Sequence, residues 1–186
     1  MMYKALLIVL LSFVTISFAK EKEVQIPFSE ENAKYWQYIS DRTMGGVSTG
    51  KAVLEKDGEN FFVRLIGNVS TKNNGGFIQL RSKFSFANLE KNNKKFRGVR
   101  INVRGNGETY YIFIRTNEMK SYRDYYSASF IAKSEWEVID IPFSKFKHRL
   151  SNNLKLVNKD ILTFGIVAYG REFVSDVSVS EITFYY

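Results

Sequence analysis

The chain has 186 residues, of which 45% are hydrophobic and 16% aromatic, and its formal net charge is +8. It contains no cysteine, which excludes disulfides, thiol nucleophiles and thiolate metal sites. A single histidine, His148, also excludes a metal centre built from several histidines. The excess of basic over acidic residues favours an acidic partner only weakly, since many basic proteins bind nothing anionic.

The N-terminal segment has the pattern of a signal peptide. Lys4 is the only charged residue before Lys20, a long apolar stretch with Ser and Thr lies between them, and small residues precede a cleavage point after position 19. We therefore expect a signal peptide over residues 1–19 and one domain over residues 20–186, with an uncleaved anchor as the alternative. The protein is then exported, periplasmic or secreted, without a stable membrane span, and nucleic acid is not an expected partner.

The rest of the chain has the alternation of half-buried β-strands. Residues 30–38, after a possible cap at Ser29, and residues 142–146 are expected to form short helical turns. Gly105-Asn106-Gly107 has the composition of a hairpin turn, and residues 88–95 that of an exposed loop. Period-two alternation predicts strands over residues 61–66, 99–104, 110–115, 136–141 and 162–168. The pattern predicts an all-β fold, an antiparallel sandwich or barrel.

Two glycine pairs interrupt this alternation, and each lies in a polar setting. Asp41 and Ser48 flank Gly45-Gly46, and Asn73-Asn74 precede Gly75-Gly76. A carboxylate, a hydroxyl and open backbone amides can hold a ligand. The same residues also suit tight turns, with asparagine tolerating left-handed backbone, and turn chemistry alone explains their spacing. If the turns lie at one end of a sandwich, Asn74 shares a rim with Asp41.

These landmarks occur in a specific order along the chain. The segments concerned are Trp36, residues 41–48, 67–70, 74–77, Gly98, residues 103–107, Tyr110, residues 114–116, Trp136, residues 141–143 and Phe146. In this order the chain resembles the complex I intermediate-associated protein 30 family. The chain departs from the family's pattern after Phe146, where Lys147-His148-Arg149-Leu150 replaces an Arg-Gly pair.

The resemblance implies a galactose-binding-like, jelly-roll-type β-sandwich that acts as a binding module. Mitochondrial members of the family are assembly factors for the respiratory NADH dehydrogenase, so a chaperone-like, protein-binding assembly role is the leading hypothesis. We expect no enzymatic activity, no cofactor and no metal. The candidate ligand-binding residues are Trp36, Asp41, Met44, Gly45, Gly46, Ser48, Asn74, Gly75, Gly76, Arg81, Arg104, Tyr111 and Arg115.

Three arginines among these candidates lie on the polar faces of predicted strands. If the strands are neighbours, Arg81, Arg104 and Arg115 form a basic stripe with Tyr111 and Gln79 that suits carboxylates, sulfates or peptide carbonyls. Arginines on the solvent face of a sheet are equally typical of ordinary solubilising residues.

The aromatic content supports a carbohydrate-binding module as the alternative function. Sugar rings stack on exposed aromatic side chains, and Tyr122 and Tyr125 are the tyrosines expected to be exposed because their neighbours are polar. Most of the other rings, and Phe77, are expected to pack inward.

Catalysis has little support in the sequence. His148 lies in a basic stretch and is expected to be solvated. A carboxylate pair can be assembled in space without a sequence motif, and Asp41 with Glu108, Asp124 or Asp140 remains one such possibility, as does a calcium site.

Overall fold

The computed structural model describes residues 23–83, 96–156 and 161–186, which form two antiparallel sheets around a shared hydrophobic core. The expected signal peptide and the predicted loop over residues 88–95 lie outside the described residues. The strands are β1 (Val24–Pro27), β2 (Trp36–Ser40), β3 (Thr49–Asp57), β4 (Asn60–Val69), β5 (Phe77–Ser82), β6 (Gly98–Gly105), β7 (Thr109–Thr116), β8 (Tyr126–Ile131), β9 (Glu137–Pro142), β10 (Lys147–His148), β11 (Ile161–Tyr169) and β12 (Phe173–Tyr185).

The chain crosses repeatedly between the two sheets. The first sheet has the order β3-β4-β12-β6-β9, with β1 also paired to β12, and the second has the order β10-β8-β7-β11-β5-β2. Consecutive strands such as β1 and β2, or β6 and β7, therefore belong to different sheets. The predicted all-β antiparallel sandwich is confirmed.

Strand β7 shows why the alternating segments form this sandwich. Tyr110, Ile112 and Ile114 are fully buried in the core, while the residues between them point to the outer face of the second sheet. Burial of each such side chain stabilises the fold by roughly 1.5–3 kcal/mol. The period-two pattern thus orients every second residue outward, which leaves a row of polar and aromatic side chains available for function.

The first predicted helical segment is correct only in part. The Asn32 amide donates to the Ser29 hydroxyl (3.2 Å), and Ala33–Tyr35 forms a single 3₁₀ turn. Residues 36–38, which we expected to be helical, belong instead to strand β2, because this edge strand pairs with β5. The turn predicted over residues 142–146 is confirmed as a 3₁₀ turn at Phe143–Lys145. No helix within the described ranges has the length and apolar character to cross a bilayer.

The predicted hairpin at Gly105-Asn106-Gly107 is wrong. This turn carries the chain from β6 in the first sheet to β7 in the second. Strand β6 is already flanked by β12 and β9, so it has no free edge for β7. Asn106 fixes the crossover by donating to the Val174 carbonyl (2.8 Å) and accepting from the Tyr110 hydroxyl (2.7 Å).

Candidate functional site

Asp41 lies at the start of the 3₁₀ helix Asp41–Met44 that follows β2, and its exposed fraction is 0%. Its carboxylate accepts hydrogen bonds from the Ser48 amide (2.9 Å), the Ser48 hydroxyl, the Gly76 amide (2.6 Å) and the Phe77 amide (3.2 Å). We call Asp41 and these donors the Asp41 knot. It joins the turn after β2 to the turn before β5, which comes 35 residues later in the chain.

Each glycine pair supplies one residue that leaves room for Asp41. A Cβ atom on Gly46 would lie 2.4 Å from the Asp41 carboxyl carbon, and one on Gly75 would lie 2.5 Å from a carboxylate oxygen. The other member of each pair has left-handed backbone, with φ of +87° at Gly45 and +130° at Gly76. One glycine of each pair is therefore required by the packing around one carboxylate, and the other by the backbone conformation of its turn.

The electrostatics of the knot follow from its donors. Burial by itself raises the pKa of Asp41, but the hydrogen bonds from Gly76, Ser48 and Phe77 outweigh it and hold the pKa below its ordinary value. The Ser48 hydroxyl also accepts from the Ser70 amide (3.0 Å). These groups are thus occupied within the protein, and the arrangement favours the turn interpretation of the first glycine motif.

The remaining candidates of the first half lie on either side of the knot. Met44 and Asn74 are exposed at its rim. Asn73 and Asn74 have φ of 56° and 57°, the left-handed backbone expected of asparagine here. Trp36 is buried against Phe28, with ring centroids 5.2 Å apart, so it contributes to the core and is not accessible to a ligand.

Arg81, Gln79, Tyr111 and Arg115 lie on the outer face of the second sheet, because β5 and β7 both pair with β11. The register aligns Gln79 with Val167 and Tyr111, and it aligns Arg81 with Gly165 and Phe113. Arg115 lies opposite Thr163 on the same face. The part of the predicted stripe that involves β5 and β7 is therefore formed.

Arg104 does not belong to this stripe, which corrects the expectation of three neighbouring arginines. Its strand, β6, lies in the first sheet, and its guanidinium lies between two rings, 4.8 Å from the centroid of Trp136 and 5.1 Å from that of Phe62. Arg104 therefore has a cation–π environment on the opposite face of the molecule.

Four aromatic side chains form a cluster on the outer face of the second sheet. The ring of Phe113 stacks on Tyr125 at 4.0 Å and contacts Tyr169 at 5.3 Å, and Tyr169 contacts Tyr111 edge to face at 5.7 Å. We call these four residues the aromatic cluster. Burial, together with the hydrogen bond to Tyr169, raises the pKa of Tyr125, so that its phenol stays neutral. Tyr122 is exposed as expected (58%), but Tyr125 is only 8% exposed because it packs on Phe113.

A groove of about 390 Å³ adjoins this cluster where β5 and β7 end and β2 and β11 begin. We call it the basic groove. It contains three cationic side chains, Arg81, Lys83 and Arg115, and no carboxylate among its lining residues. Burial, followed by repulsion from Arg115, lowers the pKa of Arg81. The lining residues are Gln37, Arg81, Ser82, Lys83, Arg115, Thr116, Met119, Leu162 and Thr163.

A second cleft, of about 590 Å³, lies by the first sheet. It lies at the point along β12 where the paired strand changes from β4 to β1. Strand β12 pairs with β4 as far as Val179 and with β1 from Glu181 onward. We call it the acidic cleft, because its charged lining residues are Asp57, Glu59 and Glu181. Sequence reasoning missed this cleft, since it arises from strand pairing between distant segments. The lining residues are Pro27, Phe28, Asp57, Glu59, Asn60, Phe61, Phe62, Asn102, Trp136, Ser180 and Glu181.

His148 is buried, which corrects the expectation that it is solvated. The pairing of β10 with β8 brings its ring against Tyr126 at 4.9 Å. Its Nε2 atom lies 2.6 Å from an Asp124 carboxylate oxygen, and its Nδ1 atom accepts from the Leu150 amide (3.2 Å). The imidazole thus links the segment around residue 150 to β8.

The carboxylates considered for a hydrolytic pair each interact with a different partner. Asp41 is enclosed in its knot, and Asp124 faces His148. Glu108 pairs with Arg171, and Asp140 lies 2.7 Å from Arg100. Within residues 23–83, 96–156 and 161–186, no three His, Asp or Glu side chains are placed to hold a metal ion together.

Two residues of the outer face were missed as site candidates from the sequence. Phe113 and Tyr169 are central to the aromatic cluster. The alternation of β7 placed Phe113 on the same face as Tyr111, and this signal was available. Tyr169 joins them only because β11 pairs with β7, in a register that sets Val167 opposite Tyr111. Phe77 itself is half-buried on this face and does not point into the core as expected.

Comparison with known proteins identifies one family and a common fold. The family model "Complex I intermediate-associated protein 30" matches residues 18–175. No curated protein matches the chain. Among solved structures, a family 11 carbohydrate-binding module from Clostridium thermocellum, in complex with a β-1,3-1,4-mixed-linked tetrasaccharide, is 15% identical with a TM-score of 0.66, covering 88% of this chain and 95% of that chain.

Two further structures have the same fold. The family 11 module of the cellulosomal cellulase Lic26A-Cel5E of Clostridium thermocellum is 14% identical, with a TM-score of 0.67 over 90% of this chain and 96% of that chain. A family 30 carbohydrate-binding module is 11% identical, with a TM-score of 0.55 over 87% of this chain and 98% of that chain. At these identities the likeness shows the fold alone, and it confirms the predicted jelly-roll-type, galactose-binding-like sandwich.

Proposed function

The chain belongs to the complex I intermediate-associated protein 30 family, and we propose that it is a non-enzymatic module that binds a segment of a protein partner on the outer face of its second sheet. The family is named for association with complex I intermediates, so a chaperone-like assembly role is the function we infer. The observation that carries the proposal is the juxtaposition of the aromatic cluster and the basic groove on one face.

The composition of this face suits a protein partner. Tyrosine and arginine are enriched among the residues that dominate binding energy at protein interfaces. Tyr111 and Phe113 are half-buried and held by neighbouring rings, so they lose little side-chain entropy when a partner covers them. Thr163, half-buried on the same face, supplies a polar group for a peptide backbone.

The Asp41 knot makes this face rigid. It fixes the start of β5, and the Gly170 amide donates to the Gly76 carbonyl (2.8 Å), which ties the end of β11 to the same point. The face is thus organised before any ligand arrives, and a preformed surface binds more tightly than one that must be ordered on binding.

Site-specific photo-crosslinking in the native cell tests the proposal. A photoreactive phenylalanine analogue at Tyr111 is expected to yield one defined protein adduct. The matched control carries the same analogue at Val138, which is 62% exposed on the outer face of the first sheet. Equal adducts from both positions, or none from Tyr111, would contradict the proposal.

The proposed place of action is outside the cytoplasm, periplasmic or secreted. It is supported by the signal-peptide pattern over residues 1–19. Fractionation of the native cell, followed by N-terminal sequencing, is expected to recover a chain that starts at Lys20. A chain in the cytoplasm that retains Met1 would rule this out.

A carbohydrate is the second candidate ligand, and the aromatic cluster is the observation that favours it. Ring faces on a sheet can stack on the apolar faces of sugars. A glycan array with the purified protein is expected to show binding that Tyr169→Ala abolishes and Trp136→Ala leaves intact, because Trp136 packs on Arg104 of the first sheet. Silence across neutral and acidic sugars would remove this candidate.

A further inference from the structure

We propose, on the premise of the protein-binding module above, that the basic groove recognises carboxylate groups in an acidic segment of the protein partner. Arg81 and Arg115 are the anchoring cations.

The charge of the basic groove is uncompensated by its lining residues, in contrast to the charges of Arg64 and Arg100. Arg64 lies 2.7 Å from Asp176, and Arg100 lies 2.7 Å from both Asp140 and Glu23. In the described part of the chain, neither groove arginine has a carboxylate within ion-pairing distance. A basic surface without internal acids attracts an acidic partner.

The hydrogen-bonding capacity of the two guanidinium groups is also largely unused. Arg115 donates to the Ser121 carbonyl (2.6 Å), which orients its guanidinium and leaves further N–H groups free. No hydrogen bond of Arg81 to another described residue is present. A guanidinium offers two parallel N–H donors that match the two oxygens of a carboxylate.

Placing two cations beside one groove destabilises the free protein. Arg81 is half-buried, and Arg115 lies close enough to repel it, which together lower the pKa of Arg81. A bound carboxylate removes the repulsion and restores partners to the desolvated group.

The dimensions of the groove suit a peptide side chain or two. Its volume of about 390 Å³ is within the range of small-ligand pockets. Thr163 and Gln37, which also line it, add polar groups around a carboxylate. The aromatic cluster on the same sheet face can hold the apolar neighbours of an acidic residue.

Selection of short random peptides on the immobilised protein tests the inference. The wild-type protein is expected to enrich peptides that contain Asp or Glu. Affinity for a selected peptide should fall by about tenfold or more in Arg81→Gln or in Arg115→Gln, since each removes a charged hydrogen-bonding partner. Arg100→Gln is the matched control, with the same loss of charge on the first sheet, and should stay within about twofold of wild type.

A second peptide, without acidic residues, distinguishes direct contact with the groove from nonspecific attraction between opposite charges. Replacing Asp and Glu of the selected peptide by Asn and Gln should weaken binding to the wild-type protein more than binding to Arg81→Gln, as expected for groups that interact directly. Arg81→Lys keeps the positive charge but lacks the two parallel N–H donors of the guanidinium group. Its affinity for the peptide should lie between those of wild type and Arg81→Gln. Unchanged thermal melting of the variants shows that they are folded.

The outcomes distinguish this inference from the proposed function. Peptides enriched without acidic residues, and insensitive to Arg81→Gln, would overturn the carboxylate inference and leave the protein-binding function standing. No enriched peptide, together with no adduct from Tyr111, would overturn both. Binding of a uronic acid oligosaccharide that requires Arg81, without peptide enrichment, would overturn the assignment to an acidic protein segment.

Discussion

The Asp41 knot and the basic groove each contain a buried or half-buried charge. The charge of Asp41 is compensated by donors within the protein, whereas that of Arg81 is not. The Asp41 carboxylate accepts four hydrogen bonds from Ser48, Gly76 and Phe77. The guanidinium of Arg81 lacks a carboxylate partner among the described residues, and Arg115 repels it. The first arrangement is what a buried charge needs to stabilise a fold, and the second leaves a charge for something outside the protein.

The scaffold and the candidate site of this molecule lie close together in the chain. Both regions lie along β5, four residues apart at Phe77 and Arg81, so proximity in the chain does not distinguish them. What distinguishes them is whether the polar groups have partners. Substitutions at the knot should therefore reduce stability, whereas substitutions in the groove should reduce binding and leave stability nearly unchanged.

The largest expected effect is that of Asp41→Ala. It leaves buried amides at Ser48, Gly76 and Phe77 without an acceptor, and it should lower the free energy of unfolding by about 4 kcal/mol. Urea denaturation measures this loss. A loss below about 1 kcal/mol would show that the knot is not a main support of the fold.

The next effect concerns the contact between Gly75 and Asp41. Gly75→Ala should cost about 2–3 kcal/mol, because the new Cβ would lie 2.5 Å from a carboxylate oxygen while the backbone at this position is extended. Gly107→Ala is the control, since Gly107 has φ of +83° and no heavy atom within 4 Å of the new Cβ. It should cost about 1 kcal/mol from backbone strain alone. Equal losses by thermal denaturation would mean that the contact with Asp41 does not matter.

The pH dependence of stability provides a third test. The pKa of Asp41 is lower in the folded protein than in the unfolded chain, so its contribution is complete above the unfolded value of about 3.9 and is lost as the pH falls through the folded value. Wild type should therefore lose stability over this acid range more steeply than Asp41→Asn. Parallel curves from denaturation at successive pH values would contradict the assigned role of this carboxylate.

The smallest expected change in stability is that of Arg81→Gln. Removing a repelled, half-buried cation should leave the free energy of unfolding within about 0.5 kcal/mol of wild type, or raise it slightly. Arg100→Gln should instead lower it by about 0.5 kcal/mol, because Arg100 is ion-paired with Asp140 and Glu23. Chemical denaturation of the two variants compares them directly. A large loss in Arg81→Gln would show that this arginine serves the fold.

The sequence predicted local conformation better than the contacts between distant segments. The alternation over residues 110–115 correctly placed Tyr111 and Arg115 on one outer face. It could not show that β6 lies in the other sheet, which separates Arg104 from them, nor that His148 would be drawn against Tyr126. Those outcomes depend on strand partners, and local patterns carry no information about partners.

The sequence by itself determined the all-β class, the positions of several strands and the family, because these depend on short-range alternation and on the order of motifs. Only the tertiary structure decided that the two glycine pairs surround one carboxylate and that Arg81 and Arg115 share a groove. The physical reason is register. Strand β11 pairs with both β5 and β7, and this pairing between distant segments sets which side chains meet.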